Sequence, residues 1–335
     1  MESIKASQIT PLVISDHVVL GNHFHSQTVA GFTTNKQQMS VVRIFNLNTF
    51  DPNSCSLKAI EDSVEKQKRI HCESIIPFTR FVHNGKLMFI EREYVNGTPL
   101  SEIIAQNHSM SEHSAVHILS KIAHMLTYLH ENGIVMTSLK PENIIVSLRG
   151  GITLVDVGIP AILEDTTLKP MMISNIPYIC PERISNSKCE VTKELDIYHF
   201  GLLAFQLLTG RMPWTMPNEF KVITEMKNHN IVYPDEISHG FKVLINSCLH
   251  PDPLQRPSSN HLLTLIRENI PIIRNEHHVF IPSSHRHSVN DVIKIINNSS
   301  SPRSSLKDTN AHIIFPKIRR QGLNLLPMIT KNSAV

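Results

Sequence analysis

The chain has 335 residues, of which 41% are hydrophobic, and a formal net charge of +3 at pH 7. This length allows one large domain of roughly 250 residues or two smaller domains, each with a substantial core. The N-terminus lacks an apolar signal segment, and apolar runs such as Phe200 to Leu208 are shorter than the roughly 20 residues that cross a bilayer. Five cysteines without C-x-x-C spacing indicate neither a disulfide framework nor a zinc site. We therefore predict a cytoplasmic protein that is not embedded in a membrane.

Strand patterns occupy the first part of the chain, where β-rich runs alternate with polar turns. The predicted strands are 13–20, 27–32, 39–45, 78–83 and 86–93. A polar, helix-compatible segment from about residue 54 to residue 70 separates the third strand from the fourth. This part of the chain is therefore predicted to be a sheet with one helix.

Helical patterns dominate beyond Gly97. Ser111 is suited to cap a long helix that ends at Gly133. Its apolar positions recur at helical spacing and are Leu119, Ile122, Ala123, Leu126 and Leu129. A second helix, 195–208, is apolar on nearly every face and ends before Gly210. Because a helix that is hydrophobic all round is buried, we expect this one to form the axis of the C-terminal half.

Charge is distributed unevenly along the chain. Residues 271–335 carry nine Lys and Arg against three Asp and Glu, a net charge of +6, whereas residues 1–270 carry 23 against 26, a net charge of −3. The C-terminal segment is also rich in serine and has little apolar periodicity, which predicts a disordered tail able to contact an acidic partner. A solvated linker without a binding role is the alternative. Nucleic-acid binding is not favoured, because the basic residues are few and not interleaved with aromatic residues.

Five short motifs follow one another in a fixed order along the chain. They are GIVMTSLKPENIIV at 133–146, DVG at 156–158, IPYICPE at 176–182, DIYHFG at 196–201 and DPLQRP at 252–257. As an ordered set they resemble the eukaryotic protein kinase family over about residues 12–270. No single motif decides the resemblance; each alone would be weak evidence.

The resemblance implies a bilobal α+β fold with a small β-rich N-lobe and a larger helical C-lobe. On this basis residues 1–11 are an N-terminal extension, and residues 12–270 form the kinase-like domain. The N-lobe is placed at about 12–95 and the C-lobe at about 96–270. Residues 271–335 form the basic, serine-rich tail.

The catalytic loop departs from the family pattern where the chemistry occurs. In the family signature H-R-D-L-x-x-x-N, the Asp accepts the proton of the substrate hydroxyl and the Asn holds a magnesium ion. Those positions are Ser138 and Asn143 here, while Lys140 is retained. Asp156 corresponds to the Asp of D-F-G, so Asn143 and Asp156 are the implied magnesium ligands if the site is used. Since a serine cannot replace the carboxylate base, no catalytic set is intact.

The nucleotide pocket implied by the resemblance is also altered. Of the glycine-rich loop G-x-G-x-x-G, whose backbone approaches the phosphates, only Gly21 remains. Arg43 replaces the lysine of V-A-I-K, a substitution that is not conservative because the guanidinium is broad and planar. Val41, opposite Ile145, adds two methyl groups to the adenine surface. We therefore expect a tighter slot for nucleotide.

Arg92 falls at the gatekeeper position at the back of this pocket, just before Glu93 at the start of the hinge. A guanidinium cannot lose its charge, so a buried Arg92 requires an acidic partner. The candidates are Asp156 and a glutamate of the preceding helix, either Glu61 or Glu65, since the family spacing falls between them. The alternative is a register shift of one residue that turns Arg92 toward solvent.

Three further residues are predicted to serve the structure. Glu182 and Arg256 correspond to the family's buried ion pair between the A-P-E motif and the late-domain arginine. Asp196 begins the motif of the buried central helix. These positions keep the family residue types, so packing is retained while chemistry is lost.

The resemblance with these departures favours a pseudokinase, a kinase-fold module that binds and regulates a signalling protein such as an active kinase. A divergent active Ser/Thr kinase that uses Asp156, Asn143 and Arg43 is the alternative, and a nucleotide sensor without transfer activity is a second one. The resemblance allows ATP and Mg²⁺ as weakly bound cofactors and requires neither.

Overall fold

The structure is a computed structural model that describes most of the predicted domain. The described residues are 14–22, 26–33, 39–49, 57–158, 178–185, 191–214 and 219–270. The predicted N-terminal extension 1–11 and the predicted tail 271–335 lie outside them, as do residues 23–25 of the segment that corresponds to the glycine-rich loop.

The N-lobe is built on a five-stranded antiparallel sheet with the order β1-β2-β3-β5-β4. Its strands are β1 Ile14–Asn22, β2 Ser26–Thr33, β3 Met39–Asn46, β4 Phe78–His83 and β5 Leu87–Glu93. Helix α1, Leu57–Gln67, lies between β3 and β4 in the chain, after a 3₁₀ turn at Leu47–Thr49. Each predicted strand is confirmed to within two residues at either end.

The alternation of side chains along β3 and β5 divides the sheet into two apolar faces. One face packs against α1 through Phe45, Ile60, Val64, Phe78, Met88 and Ile90. The opposite face consists of Val29, Val42, Ile44, Leu87 and Phe89. The same alternation places Val41, Arg43 and Arg92 on the α1 side. The sheet therefore directs two arginines toward the interior of the molecule.

The C-lobe is helical, with a small sheet at its junction with the N-lobe. Its helices are α2 Leu100–Asn107, α3 Glu112–Glu131, α4 Pro181–Ser185, α5 Lys193–Thr209, α6 Glu219–Lys227, α7 His239–Cys248 and α8 Ser259–Asn269. The small sheet consists of β6 Thr98–Pro99, β7 Ile144–Val146 and β8 Ile152–Leu154, in that order. A bridge between Ile75 and Leu154 connects it to the segment before β4. Within the described ranges, no helix has the length and apolar character that crossing a bilayer requires.

Helices α3 and α5 form the centre of the C-lobe, as the sequence predicts. The hydroxyl of Ser111 accepts a hydrogen bond from the Ser114 N–H and caps α3, and all five predicted apolar positions of this helix are buried. Helix α5 is buried along nearly its whole length and packs against α3 and α7. Gly201 on α5 allows a close approach, because a Cβ there would lie 2.8–2.9 Å from Cys248 and Leu249.

Gly210 ends α5 in the left-handed conformation, with φ +69°. A Cβ at this position would lie 1.6 Å from the carbonyl oxygen of His108, whereas Gly133 has nearly the same φ, +68°, and nothing within 4 Å. We expect Gly133→Ala to lower the free energy of unfolding by about 1–2 kcal/mol through backbone strain alone. Gly210→Ala should cost clearly more, because the backbone of His108 must also move. Urea unfolding of both variants measures the difference, and equal losses would contradict the tight contact.

Candidate functional site

The predicted site residues come together where the α1-facing side of the sheet meets the segment 136–158. In this segment the 3₁₀ turn Pro141–Asn143 precedes β7, and Asp156 lies two residues after the end of β8. Asp156 has a positive φ, 58°, and is buried. Its carboxylate therefore sits between the two lobes, in reach of β3 and β5.

Asp156 forms ion pairs with both arginines of the sheet. The Nε of Arg92 donates to Oδ1 at 2.7 Å, and a terminal nitrogen of Arg43 lies 3.6 Å from Oδ2. Burial alone would raise the pKa of Asp156, but the charges of Arg92 and Arg43 outweigh it and hold the pKa below its ordinary value. The carboxylate is thus ionised at neutral pH. Arg92 is buried with Asp156 as its partner, so the alternative of a solvent-facing Arg92 is wrong.

The other candidate partner of Arg92, a glutamate of α1 at position 61 or 65, is excluded. Both residues are exposed, and Glu65 pairs with Lys68 on the surface of the same helix. The rotation of α1 is set by Ile60 and Val64, which pack into the sheet. Because residues three and four apart share a helix face, this rotation turns both glutamates outward.

Gln67 is a site residue that the sequence reasoning missed. It lies at the end of α1 and is fully buried. Its side-chain amide donates to the carbonyl of Val157 at 2.7 Å and accepts from the N–H of Phe78 at 3.0 Å. It therefore joins α1, the start of β4 and the segment after Asp156. The available signal was its position seven residues after Ile60, on the same helix face.

Ser138 and Asn143 are linked to one another within the segment 133–146, which resembles a catalytic loop. Both are buried, and the side-chain amide of Asn143 donates to the carbonyl of Ser138 at 2.9 Å and to its hydroxyl at 3.0 Å. Lys140 lies half-buried between them in the chain, and its charge is a further influence that lowers the pKa of Asp156. The hydroxyl of Ser138 thus stands where the resemblance places a carboxylate.

Asp196 on α5 holds the start of the same loop. Its carboxylate accepts the backbone N–H groups of Met136 and Thr137, both at 2.7 Å, and lies 2.8 Å from Nε2 of His130. Thr137 has a positive φ, 68°, which a β-branched residue rarely adopts. The two hydrogen bonds to Asp196 stabilise this strained turn, consistent with the structural role predicted for Asp196.

The predicted ion pair between Glu182 and Arg256 is present. The two terminal nitrogens of Arg256 donate to the two carboxylate oxygens of Glu182 at 2.8 and 2.7 Å, and the guanidinium lies 4.8 Å from the ring centre of Tyr198. Burial alone would lower the pKa of Arg256, but the hydrogen bonds to Glu182 raise it above its ordinary value. This pair ties α4 to the loop before α8.

The remaining predicted pocket residues are placed by the strands to which they belong. Gly21 is near the end of β1 and pairs with Thr28 of β2, next to a register irregularity. Val41 is buried on β3 directly opposite Arg92, and the carbonyl of Glu93 accepts a second hydrogen bond from Arg92 at 3.2 Å. Ile145 lies on β7, where its side chain crowds Gly97.

Comparison with known proteins identifies the family. Residues 15–265 match the protein kinase domain family, and the chain therefore belongs to it. It is 28% identical over 239 residues to mitogen-activated protein kinase kinase 1 of Arabidopsis thaliana, a match that covers 68% of this chain and 66% of the relative. It is also 28% identical over 232 residues to the serine/threonine-protein kinase shk1/pak1 of Schizosaccharomyces pombe, covering 65% of this chain and 35% of the relative.

The crystal structure of Rad53 1-466 in complex with AMP-PNP has the same fold. The TM-score is 0.61 at 19% identity, over 75% of this chain and 64% of that chain. The predicted bilobal α+β kinase fold is thereby confirmed. The chain spans about a third to two thirds of the length of these proteins.

Members of this family bind ATP together with Mg²⁺, which prefers oxygen ligands and in kinases is held by the Asp of D-F-G and the Asn of the catalytic loop. In this chain both oxygens of Asp156 face guanidinium groups. As it is arranged here, the site does not fit a magnesium ion.

Proposed function

We propose that this chain is a pseudokinase, a protein kinase domain that does not transfer phosphate and that acts as a scaffold or allosteric partner of a signalling protein. The observation that carries the proposal is Ser138, which occupies the proton-acceptor position and is hydrogen-bonded to Asn143. General base catalysis typically contributes about 10²–10⁴-fold to the rate. A neutral hydroxyl does not supply this contribution.

The arginines at positions 43 and 92 are a second reason to expect no phosphate transfer. Phosphoryl transfer depends on positioning and on electrostatic stabilisation of the transferred group. Arg43 stands in place of the lysine that orients the phosphates, and it is paired with Asp156. With the base, the lysine and the later glycines of the loop all replaced, physiological phosphate transfer is not expected.

An active Ser/Thr kinase is the second candidate. Two observations favour it: the relatives are named as kinases, and Lys140, Asn143 and Asp156 are retained. Such an enzyme would need an unconventional base. A nucleotide sensor, which binds ATP without transferring phosphate, is supported by the same retained residues.

The retained structural contacts support a role in protein binding. The Asp196 hydrogen bonds and the Glu182–Arg256 pair preserve the shape of the C-lobe, although the former active site has changed. We propose a cytoplasmic signalling protein as the partner, such as an active kinase. The basic segment 271–335, with its net charge of +6, would assist binding to an acidic surface.

Two assays on the full chain separate the three candidates. The first is a thermal shift with ATP, with and without Mg²⁺, and the second is autophosphorylation with labelled ATP. A pseudokinase closed to nucleotide gives neither signal, a sensor gives only the thermal shift, and an active kinase gives both.

Restoring the missing carboxylate provides a sharper prediction. We expect Ser138→Asp to leave phosphate transfer to generic Ser, Thr and Tyr substrates at background, because Arg43 and the altered glycine loop remain. Incorporation of labelled phosphate by this variant and by the unmodified chain is the measurement. Clear activity of Ser138→Asp would mean that the base alone is missing, and that the arginines do not block the reaction.

A further inference from the structure

Two buried guanidinium groups converge on a single carboxylate. The side chains of Arg43, Arg92 and Asp156 are 8%, 9% and 11% exposed. Charges so deeply buried are stable only with partners, and removing one partner leaves an uncompensated charge. The three side chains therefore form a paired, buried cluster, which the replacement of the catalytic residues alone does not explain.

The charges in this cluster match those of a metal site. In the family, the Asp that corresponds to Asp156 binds a divalent cation. Here Arg43 and Arg92 bring two permanent positive charges to the same carboxylate, the same formal charge as one Mg²⁺ ion. We propose that Arg43 and Arg92 substitute for the metal ion on Asp156, so that the two lobes are held together without metal or nucleotide.

The origin of each contact supports this assignment. Arg92 on β5 contacts Oδ1 and Arg43 on β3 contacts Oδ2, so each carboxylate oxygen faces a guanidinium from a different strand of the N-lobe. Asp156 itself follows β8, which pairs with β7 of the catalytic loop. The cluster therefore links the sheet to the C-lobe. In a kinase with bound metal and nucleotide, those ligands would form this link.

Gln67 reinforces the same junction with neutral hydrogen bonds. It joins the carbonyl of Val157, the residue next to Asp156, to the backbone of Phe78 in the N-lobe. The junction thus has the carboxylate of Asp156 paired and its neighbouring backbone groups hydrogen-bonded by residues of this chain.

Binding of Mn²⁺ to the full chain tests whether the arginines replace the metal ion. Electron paramagnetic resonance measures the free Mn²⁺, and the melting temperature measures the stability of the chain. We expect the unmodified chain to show no Mn²⁺ binding at Asp156 and the same melting temperature in Mn²⁺ and in EDTA. The double variant Arg43→Met, Arg92→Met frees the carboxylate. Without Mn²⁺ this double variant should melt at a lower temperature than the unmodified chain, and adding Mn²⁺ should recover part of that loss. It should also bind Mn²⁺ about tenfold or more tightly than the unmodified chain, because a buried charge attracts a cation strongly. Adding Asp156→Asn should abolish this response.

Two controls keep the test decisive. Arg80→Met removes an arginine from β4 that is half-exposed and pairs with Glu91 at 3.7 Å, and it should leave the chain insensitive to Mn²⁺. Arg92→Lys keeps a positive charge at the site and should also remain insensitive. If the double variant does not fold, the single variant Arg92→Met decides the question by comparison with Arg92→Lys, because only Arg92→Met removes a positive charge from Asp156 and should gain a response to Mn²⁺.

Two results would overturn the inference: Mn²⁺ binding by the unmodified chain that Asp156→Asn abolishes, or a folded double variant that ignores Mn²⁺. The inference deepens the proposed function but fails separately from it. A chain that binds Mn²⁺ and transfers no phosphate would refute the metal substitution alone, whereas phosphate transfer would refute the pseudokinase assignment.

Discussion

Truncation of Glu182 or Arg256 to Ala is expected to lower the free energy of unfolding by about 3–5 kcal/mol, because each change leaves the other charge buried and unpaired. The Arg256 side chain is fully buried and that of Glu182 is 17% exposed, and the two are joined by a pair of parallel hydrogen bonds. Urea unfolding of the two single variants measures the loss.

Control substitutions show whether the burial of the Glu182–Arg256 pair causes the expected loss of stability. Lys68→Ala removes an exposed pair with Glu65 on α1 and should change stability by less than about 0.5 kcal/mol. Ser138→Ala and Thr137→Ala, in the former active site, should also cost far less than either truncation. The double variant of Glu182 and Arg256 should lose less than the sum of the single losses, since the two residues interact directly. Small and equal shifts at Glu182, Arg256, Ser138 and Thr137 would contradict the structural role of the pair.

The double substitution Arg92→Met with Val41→Ala is expected to increase ATP affinity by about tenfold or more, equivalent to at least 1.4 kcal/mol of binding energy. Arg92→Met removes a fixed charge and its contact with Asp156, and Val41→Ala frees the volume of two methyl groups directly opposite. Isothermal titration of both forms with ATP and Mg²⁺ measures the change.

A comparable pair of changes on the edge strand serves as the control. Arg80→Met with Val82→Ala removes the same groups from β4, away from Asp156, and should leave ATP binding as in the unmodified chain. The account is contradicted by tight, magnesium-dependent binding to the unmodified protein that Arg92→Met with Val41→Ala leaves unchanged or weakens. That outcome would mean that these residues serve the nucleotide.

The fold was largely predictable, because local sequence patterns determine its strands and helices. The β-rich run of β3 and the helical spacing of α3 correspond directly to a buried strand and a buried helix face, and the apolar character of α5 predicts its central position. The Glu182–Arg256 pair was predictable for a different reason, since both residues stand at family positions within strong motifs.

The charged cluster could be predicted only in part. The sequence shows that a buried Arg92 needs an acid, but two segments offered candidates far apart in the chain. The choice of Asp156 over Glu61 and Glu65 depends on the rotation of α1, which the packing of its apolar residues decides. Gln67 was missed because a polar side chain at the end of a helix is usually exposed, and its spacing from Ile60 was the one sign of burial.

The residues that keep the family type and the residues that differ from it lie in different parts of the molecule. The residues that hold the C-lobe together, Asp196, Glu182 and Arg256, keep their types and contacts. Those changed from the family types, Ser138 and Arg43, lie where proton transfer and phosphate binding take place. This distribution favours a chain whose fold is needed and whose reaction is not.

Transfer of labelled phosphate by the purified full chain to generic protein substrates, compared with Asp156→Asn, decides between a pseudokinase and an enzyme. Asn keeps the shape of Asp156 while removing the carboxylate that an active site would use. We predict no incorporation above background for either form. Incorporation by the unmodified chain that Asp156→Asn abolishes would contradict the pseudokinase assignment.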